Sequence, residues 1–133
     1  MNSKITDTNN RNTDGRSSFI KSAGFAIQGL KQFFTSERNG RIQAVIAAAV
    51  FLTGLLFSIS MMEWLIIIIF TALVLSLEMF NSALEKLCDK VNPEIDPQIK
   101  LIKDMAAGAV LWTSLLAVVA GTCIFIPKII ELL

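Results

Sequence analysis

Trp64-Leu65-Ile66-Ile67-Ile68-Ile69-Phe70-Thr71-Ala72-Leu73-Val74-Leu75-Ser76-Leu77-Glu78-Met79-Phe80-Asn81-Ser82-Ala83-Leu84-Glu85-Lys86-Leu87-Cys88-Asp89 is an apolar run of membrane-spanning length that ends in carboxylates and an amide. On a helix of about 3.6 residues per turn, Glu78, Asn81, Ser82, Glu85 and Asp89 fall on one face. An ionised side chain at membrane depth costs about 2.5–3.5 kcal/mol even on lenient insertion scales, so that face must look into protein or water. It is the candidate active site.

Working outward, residues 42–62 carry no formal charge and are long enough to cross a bilayer. Ser58 to Glu63 then forms a tight connection without Lys or Arg, and Trp64 is expected as an interfacial anchor. The second span covers 64–88. Beyond it, Val91-Asn92-Pro93-Glu94-Ile95-Asp96-Pro97 reads as a loop broken by proline. A third span covers 104–127, closed by Pro127-Lys128, and Ile129 to Leu133 is a short apolar tail. Upstream, Phe19, Ile20, Ala23, Ile27, Leu30, Phe33 and Phe34 recur at helical spacing with Lys21, Gln28, Lys31 and Gln32 between them. This pattern predicts an amphipathic surface helix over 17–36, capped by Ser17 or Ser18. Residues 1–16 are polar, with too little apolar surface to offset ordering entropy, and read as a disordered tail without a secretory signal peptide. The fold class is therefore all-α: an integral membrane protein with an N-terminal surface helix and three transmembrane helices.

Composition agrees. The 133 residues are 53% hydrophobic, with a mean hydropathy of +0.61, above the range usual for soluble domains. A net charge of +1, with twelve scattered Lys and Arg, argues against nucleic acid as a partner. Histidine and tyrosine are absent, which removes imidazole base catalysis and any Ser-His-Asp triad. Carboxylate or lysine must do any acid-base work. Cys88 and Cys123 lie near opposite ends of two spans, about a bilayer thickness apart, and are expected as packing residues rather than a disulfide.

Basic residues number seven before the first span, none between the first and second, four between the second and third, and one after. The positive-inside rule then puts the N-terminus and the loop after the second span in the cytoplasm, with the C-terminus outside. Glu78 follows Glu63 by fifteen residues, about 22 Å at 1.5 Å per residue, so it lies within the cytoplasmic leaflet. Three polar groups converge near that depth: Glu37 entering the first span, Glu78 to Asp89 leaving the second, and Lys103-Asp104 entering the third. Carboxylate oxygens without imidazole or clustered thiolate suit a hard cation such as Mg²⁺, which commonly shares its site with phosphates. Lys103 is the nearest cation for an anionic phosphate. Read as purely structural residues, Glu37 and Arg38 are interfacial charges, Asp104 favours a helix N-terminus, and Glu85 and Asp89 are solvated. Glu78 has no such reading at its depth. Ala106-Ala107-Gly108-Ala109 is a packing signal for close helix approach.

Glu78-Met79-Phe80-Asn81-Ser82-Ala83-Leu84-Glu85 through Asp89, followed by Lys103-Asp104-Met105-Ala106-Ala107-Gly108-Ala109-Val110, resembles the E-x-x-N-[ST]-A-[IL]-E-x-x-x-D and K-D-x-[AG]-[AS]-[AG]-A-V signature of the small prokaryotic diacylglycerol kinase family. The resemblance covers about residues 17–130. It implies a homotrimeric membrane kinase that moves the ATP γ-phosphate onto a lipid alcohol at a composite site between subunits. It further implies Glu78 as general base, Glu37 and Glu85 as ligands of Mg²⁺ with the nucleotide, and Lys103 neutralising the phosphates with Asp104 beside it. Asn81 and Asp89 would order the site. Phe25 and Ser18 stand where diacylglycerol-phosphorylating members place Tyr and Arg. The Glu37-Arg38-Asn39 junction and the Pro93-to-Pro97 loop look more like the undecaprenol kinase branch. Two other classes compete: a small proton-coupled carrier using Glu78 and Glu85 as a relay, and a structural membrane subunit whose polar face only fixes helix association.

Overall fold

The computed structural model describes residues 11–132 apart from Pro93 and Ile95; most of the expected N-terminal tail, residues 1–10, lies outside the described residues. Four helices and no strand occur among the described residues. The chain forms two compact units, the first ending at Ser36 and the second beginning at Glu37.

The first unit is helix α1, Arg11–Ser36. It begins six residues before the expected start at 17, because residues 11–16 contain no proline to stop the helix from propagating backward. Ser17 and Ser18 therefore lie inside the helix instead of capping it. Phe19, Ile20, Phe25 and Ile27 are exposed, as are Lys21, Gln28 and Lys31. The last turn is tied by Gln32 Nε2 donating to Ser36 Oγ at 2.9 Å and Thr35 Oγ1 donating to the Lys31 carbonyl at 2.8 Å.

The second unit holds α2 (Arg38–Leu56), α3 (Met61–Val91) and α4 (Pro97–Ile130), all three long and apolar enough to cross a membrane. Only Glu37 separates α1 from α2, so the charged junction expected at 37–41 is a single extended residue followed by helix. The first span stops at Leu56, short of the expected 62, because the following turn is built locally. Ser58 takes a φ of 47°, and Ser60 starts α3 with a capping box. Its backbone N–H donates to Glu63 Oε2 at 2.6 Å, and the Glu63 N–H donates back to Ser60 Oγ at 3.3 Å. Helix α4 starts on Pro97 at its first position, with Asp96 Oδ1 accepting from the Gln98 N–H at 2.7 Å.

Pro127 does not close the third span: α4 runs through it to Ile130. A proline costs a helix the hydrogen bond its own N–H would make, and here the last turn is held independently. Lys128 Nζ pairs with Glu63 Oε1 at 3.4 Å, and the Glu131 N–H bonds the Pro127 carbonyl at 3.0 Å.

Helix α3 is the central element, packed against both α2 and α4. Contacts at opposite ends show each neighbour antiparallel to it: Phe51 with Trp64 and Glu37 with Lys86 for α2, Glu63 with Lys128 and Asp89 with Lys103 for α4. A small core of Ile59, Ile67 and Ile124, flanked by Phe51, Phe57, Trp64 and Phe125, seals the end holding the α2–α3 turn. Trp64, expected as an interfacial anchor, packs inward over Gly54. A Cβ built on Gly54 would sit 2.9 Å from the indole Cη2 and 3.0 Å from Ile59 Cδ1, so only glycine admits the ring there. Away from this core, side chains such as Val45, Leu52, Ile69, Leu115 and Val118 point outward and are exposed. Such a surface suits hydrocarbon. Cys123 is on that exposed surface of α4, whereas Cys88 is buried as expected, and both are free thiols.

Candidate active site

The polar face of α3 grades from buried to exposed along the helix. Glu78 is 3% exposed, Asn81 6% and Ser82 8%; Glu85 is half-buried and Asp89 exposed. The helix is unbroken from Met61 to Val91, so the rise of about 1.5 Å per residue that placed Glu78 deep in the span holds throughout.

Two of the buried polar groups lack partners. Glu78 Oε1 and Asn81 Oδ1 are buried without a hydrogen bond among the described residues. Orphaned buried acceptors cost about 1–3 kcal/mol each and are rare in folded proteins, so two on neighbouring turns call for a ligand or a reaction. The other end of the Asn81 amide is engaged, with Nδ2 donating to Glu85 Oε1 at 3.1 Å, one turn along the same helix. Asn81 thus holds Glu85 in place while offering its own carbonyl oxygen to the site.

Beside Asn81, a groove of about 300 Å³ opens between α3 and α4, lined by Leu77, Phe80, Leu84, Ala106 and Ala109. Ala106 and Ala109, in the stretch expected to let helices approach closely, line this groove instead. Gly108 does not contribute: a Cβ there would meet nothing within 4 Å.

Toward the last turns of α3 the charges are paired across helices. Glu37 occupies the N-cap position of α2, yet its side chain makes no capping hydrogen bond; Oε1 lies 2.5 Å from Lys86 Nζ on α3. Lys103 Nζ on α4 donates to Asp89 Oδ1 at 2.9 Å. Of the expected site residues, Asn81 with Glu85 and Asp89 with Lys103 are brought into contact, and Glu37 is joined to α3 through Lys86. Asp104 is exposed, with no such contact among the described residues. No group of three acidic or thiol side chains able to hold a metal alone occurs among the described residues.

Two residues escaped the sequence reading. Gln43 Oε1 is buried without a hydrogen bond among the described residues, on the wall of a second cleft of about 290 Å³ between α2, α3 and α4. An amide at the start of an uncharged span was the available signal. Lys86 was counted only as a loop charge, and nothing in its spacing pairs it with Glu37.

A buried carboxylate and amide on one of three membrane-length helices, with inter-helix ion pairs at the same end, define a polytopic membrane protein with a polar site inside its bundle. The sequence model of prokaryotic diacylglycerol kinase matches residues 24–125. The chain is 36% identical over 111 residues to the undecaprenol kinase of Bacillus subtilis, covering 84% of this chain and 90% of that one. It is 32% identical over 110 residues to the diacylglycerol kinase of Synechocystis, covering 82% of this chain and 63% of that one. Against the diacylglycerol kinase of Escherichia coli K12 the identity is 28% over 108 residues, covering 81% and 88%. The chain belongs to the prokaryotic diacylglycerol kinase family. Membership places it among the lipid kinases.

Proposed function

We propose that the chain transfers the γ-phosphoryl group of ATP to the hydroxyl of a membrane lipid alcohol, undecaprenol in preference to diacylglycerol. The reaction takes place at the cytoplasmic leaflet of the bacterial inner membrane, with the N-terminus in the cytoplasm, the C-terminus outside and the Phe-rich helix α1 on the membrane surface. The observation that carries this reading is the buried Glu78 with its unpartnered oxygen, one turn from the Asn81–Glu85 pair.

Glu78 accepts the proton of the lipid hydroxyl as its oxygen attacks the γ-phosphorus. The bond from that phosphorus to the β–γ bridging oxygen breaks, and ADP leaves with the bridging oxygen. Phosphoryl transfer depends mostly on positioning and charge stabilisation. Asn81 supplies positioning by fixing Glu85. Lys103 neutralises phosphate charge, with Asp104 beside the nucleotide, while Asp89 holds Lys103 at the mouth of the site.

The donor set fits Mg²⁺. Mg²⁺ takes one or two carboxylates and completes its shell with water and phosphate oxygens, so the lack of a three-carboxylate cage among the described residues is no obstacle. Glu85, with one oxygen held by Asn81, and Glu37, whose carboxylate is turned away from its own helix, would hold it. Bound there, the ion would screen the phosphate oxygens.

The groove beside Asn81, at about 300 Å³, is small for a nucleotide together with a lipid headgroup, since single-ligand pockets already run from about 300 to 1,000 Å³. Together with the exposed apolar surface of the spans, this supports a homotrimer whose site is completed by another copy. The preference for undecaprenol rests on the closer match to the undecaprenol kinase of B. subtilis, and on Phe25 and Ser18. Purified protein offered each alcohol separately in mixed micelles is expected to show the higher kcat/KM for undecaprenol. A higher value for diacylglycerol would reverse the substrate assignment.

A further inference from the structure

The Lys86–Glu37 contact has a consequence for metal binding. Glu37 sits at the N-terminus of α2, where a carboxylate would ordinarily accept from backbone N–H groups, but it makes no such bond. Its Oε1 is instead held by Lys86 Nζ at 2.5 Å. Lys86 directly follows Glu85 on α3, and adjacent helical residues point in different directions. Glu85 turns to Asn81 while Lys86 reaches α2, so an ammonium is attached to one of the two carboxylates assigned to the cation and not to the other. The lysine side chain is 59% exposed and the glutamate 25%, which makes the pair weak enough to exchange, as exposed ion pairs generally are.

We propose that Lys86 is a built-in competitor for the Glu37 carboxylate, so that a divalent cation engages Glu37 only as the Lys86 ammonium leaves it. This makes Lys86 a positioning residue that sets the cation affinity of the site, and it rests on the reading of Glu37 as a cation ligand. Of the lysines on the neighbouring elements, Lys103 pairs with Asp89 and Lys128 with Glu63 at the other end of the bundle, while Arg38 and Arg41 follow Glu37 by one and four residues on α2 itself.

The test is Mn²⁺ binding to the detergent-solubilised full chain without nucleotide, read from the paramagnetic resonance signal of free Mn²⁺. Lys86→Gln is expected to tighten binding about two- to fivefold, the range that an exposed pair supports. Lys86→Arg, which keeps the charge, and Lys90→Gln, which removes a neighbouring charge one turn on, are expected to leave it unchanged. In a Glu37→Gln background, Mn²⁺ binds more weakly and the effect of Lys86→Gln disappears. If Lys90→Gln tightens binding as much as Lys86→Gln, net charge alone is responsible and the competition is refuted. If Lys86→Gln has no effect while Glu37→Gln weakens binding, the competitor role fails and the ligand role of Glu37 stands. If neither variant changes Mn²⁺ binding, Glu37 is not a ligand and both readings fall.

Discussion

Glu78→Gln is expected to lower lipid phosphorylation by about 10²- to 10⁴-fold, the usual contribution of a positioned general base, with little change in KM for either substrate. Glutamine keeps the shape of the side chain and its acceptor oxygen but cannot take up a proton at neutral pH. The same substitution is expected to leave the melting temperature in detergent unchanged or higher. Glu78 is 3% exposed, and its Oε1 has no partner among the described residues, so as a purely structural group it is a liability: burying an unpaired carboxylate costs several kcal/mol on any scale. Loss of activity without loss of stability separates a reacting group from one that fixes helix association. Retained activity with a lowered melting temperature would assign Glu78 to packing.

Glu85→Gln is expected to have the next largest effect, a loss of about 10²-fold or more in transfer rate, with half-activation by Mg²⁺ moved to higher concentration. The substituted side chain can still accept from Asn81 Nδ2 through its amide oxygen, so the 3.1 Å contact that positions it survives. What disappears is the negative charge offered to the cation. Rates measured across a Mg²⁺ titration distinguish the two cases. An unchanged Mg²⁺ requirement would mean that Glu85 serves geometry alone, and the cation ligand would have to be sought elsewhere on the face.

The features legible in the sequence were those set by period and by exclusion of charge. Two charge-free stretches and one apolar run ending in carboxylates gave three membrane-length helices, because charge is costly at that depth. The spacing from Glu78 to Asp89 gave one face because helical geometry is fixed. Helix ends were less legible, since they depend on local bonds that hydropathy does not register. The turn and the reciprocal Ser60–Glu63 box take residues 57–62 out of the first expected span, and the Lys128–Glu63 contact accompanies a helix that continues past Pro127. Pairings across helices were invisible. Glu37 and Lys86 are 49 residues apart in the chain (86 − 37) and meet only because α2 and α3 run antiparallel with a short turn between them. Trp64 shows the same limit: near a span boundary it reads as an interfacial anchor, while the absence of a side chain at Gly54 draws it inward.

On the proposed function, the polar face of α3 performs phosphoryl transfer, not ion transport. The most direct measurement follows labelled γ-phosphate from Mg·ATP into lipid by the full chain reconstituted in vesicles containing undecaprenol, with proton uptake recorded in the same preparation. Labelled phosphate is expected to appear in the lipid with one ADP released per lipid phosphorylated, and a proton gradient should not drive or alter the reaction. Label that stays in the nucleotide, together with proton uptake abolished by Glu78→Gln, would rule out phosphoryl transfer and make the buried carboxylates a proton path.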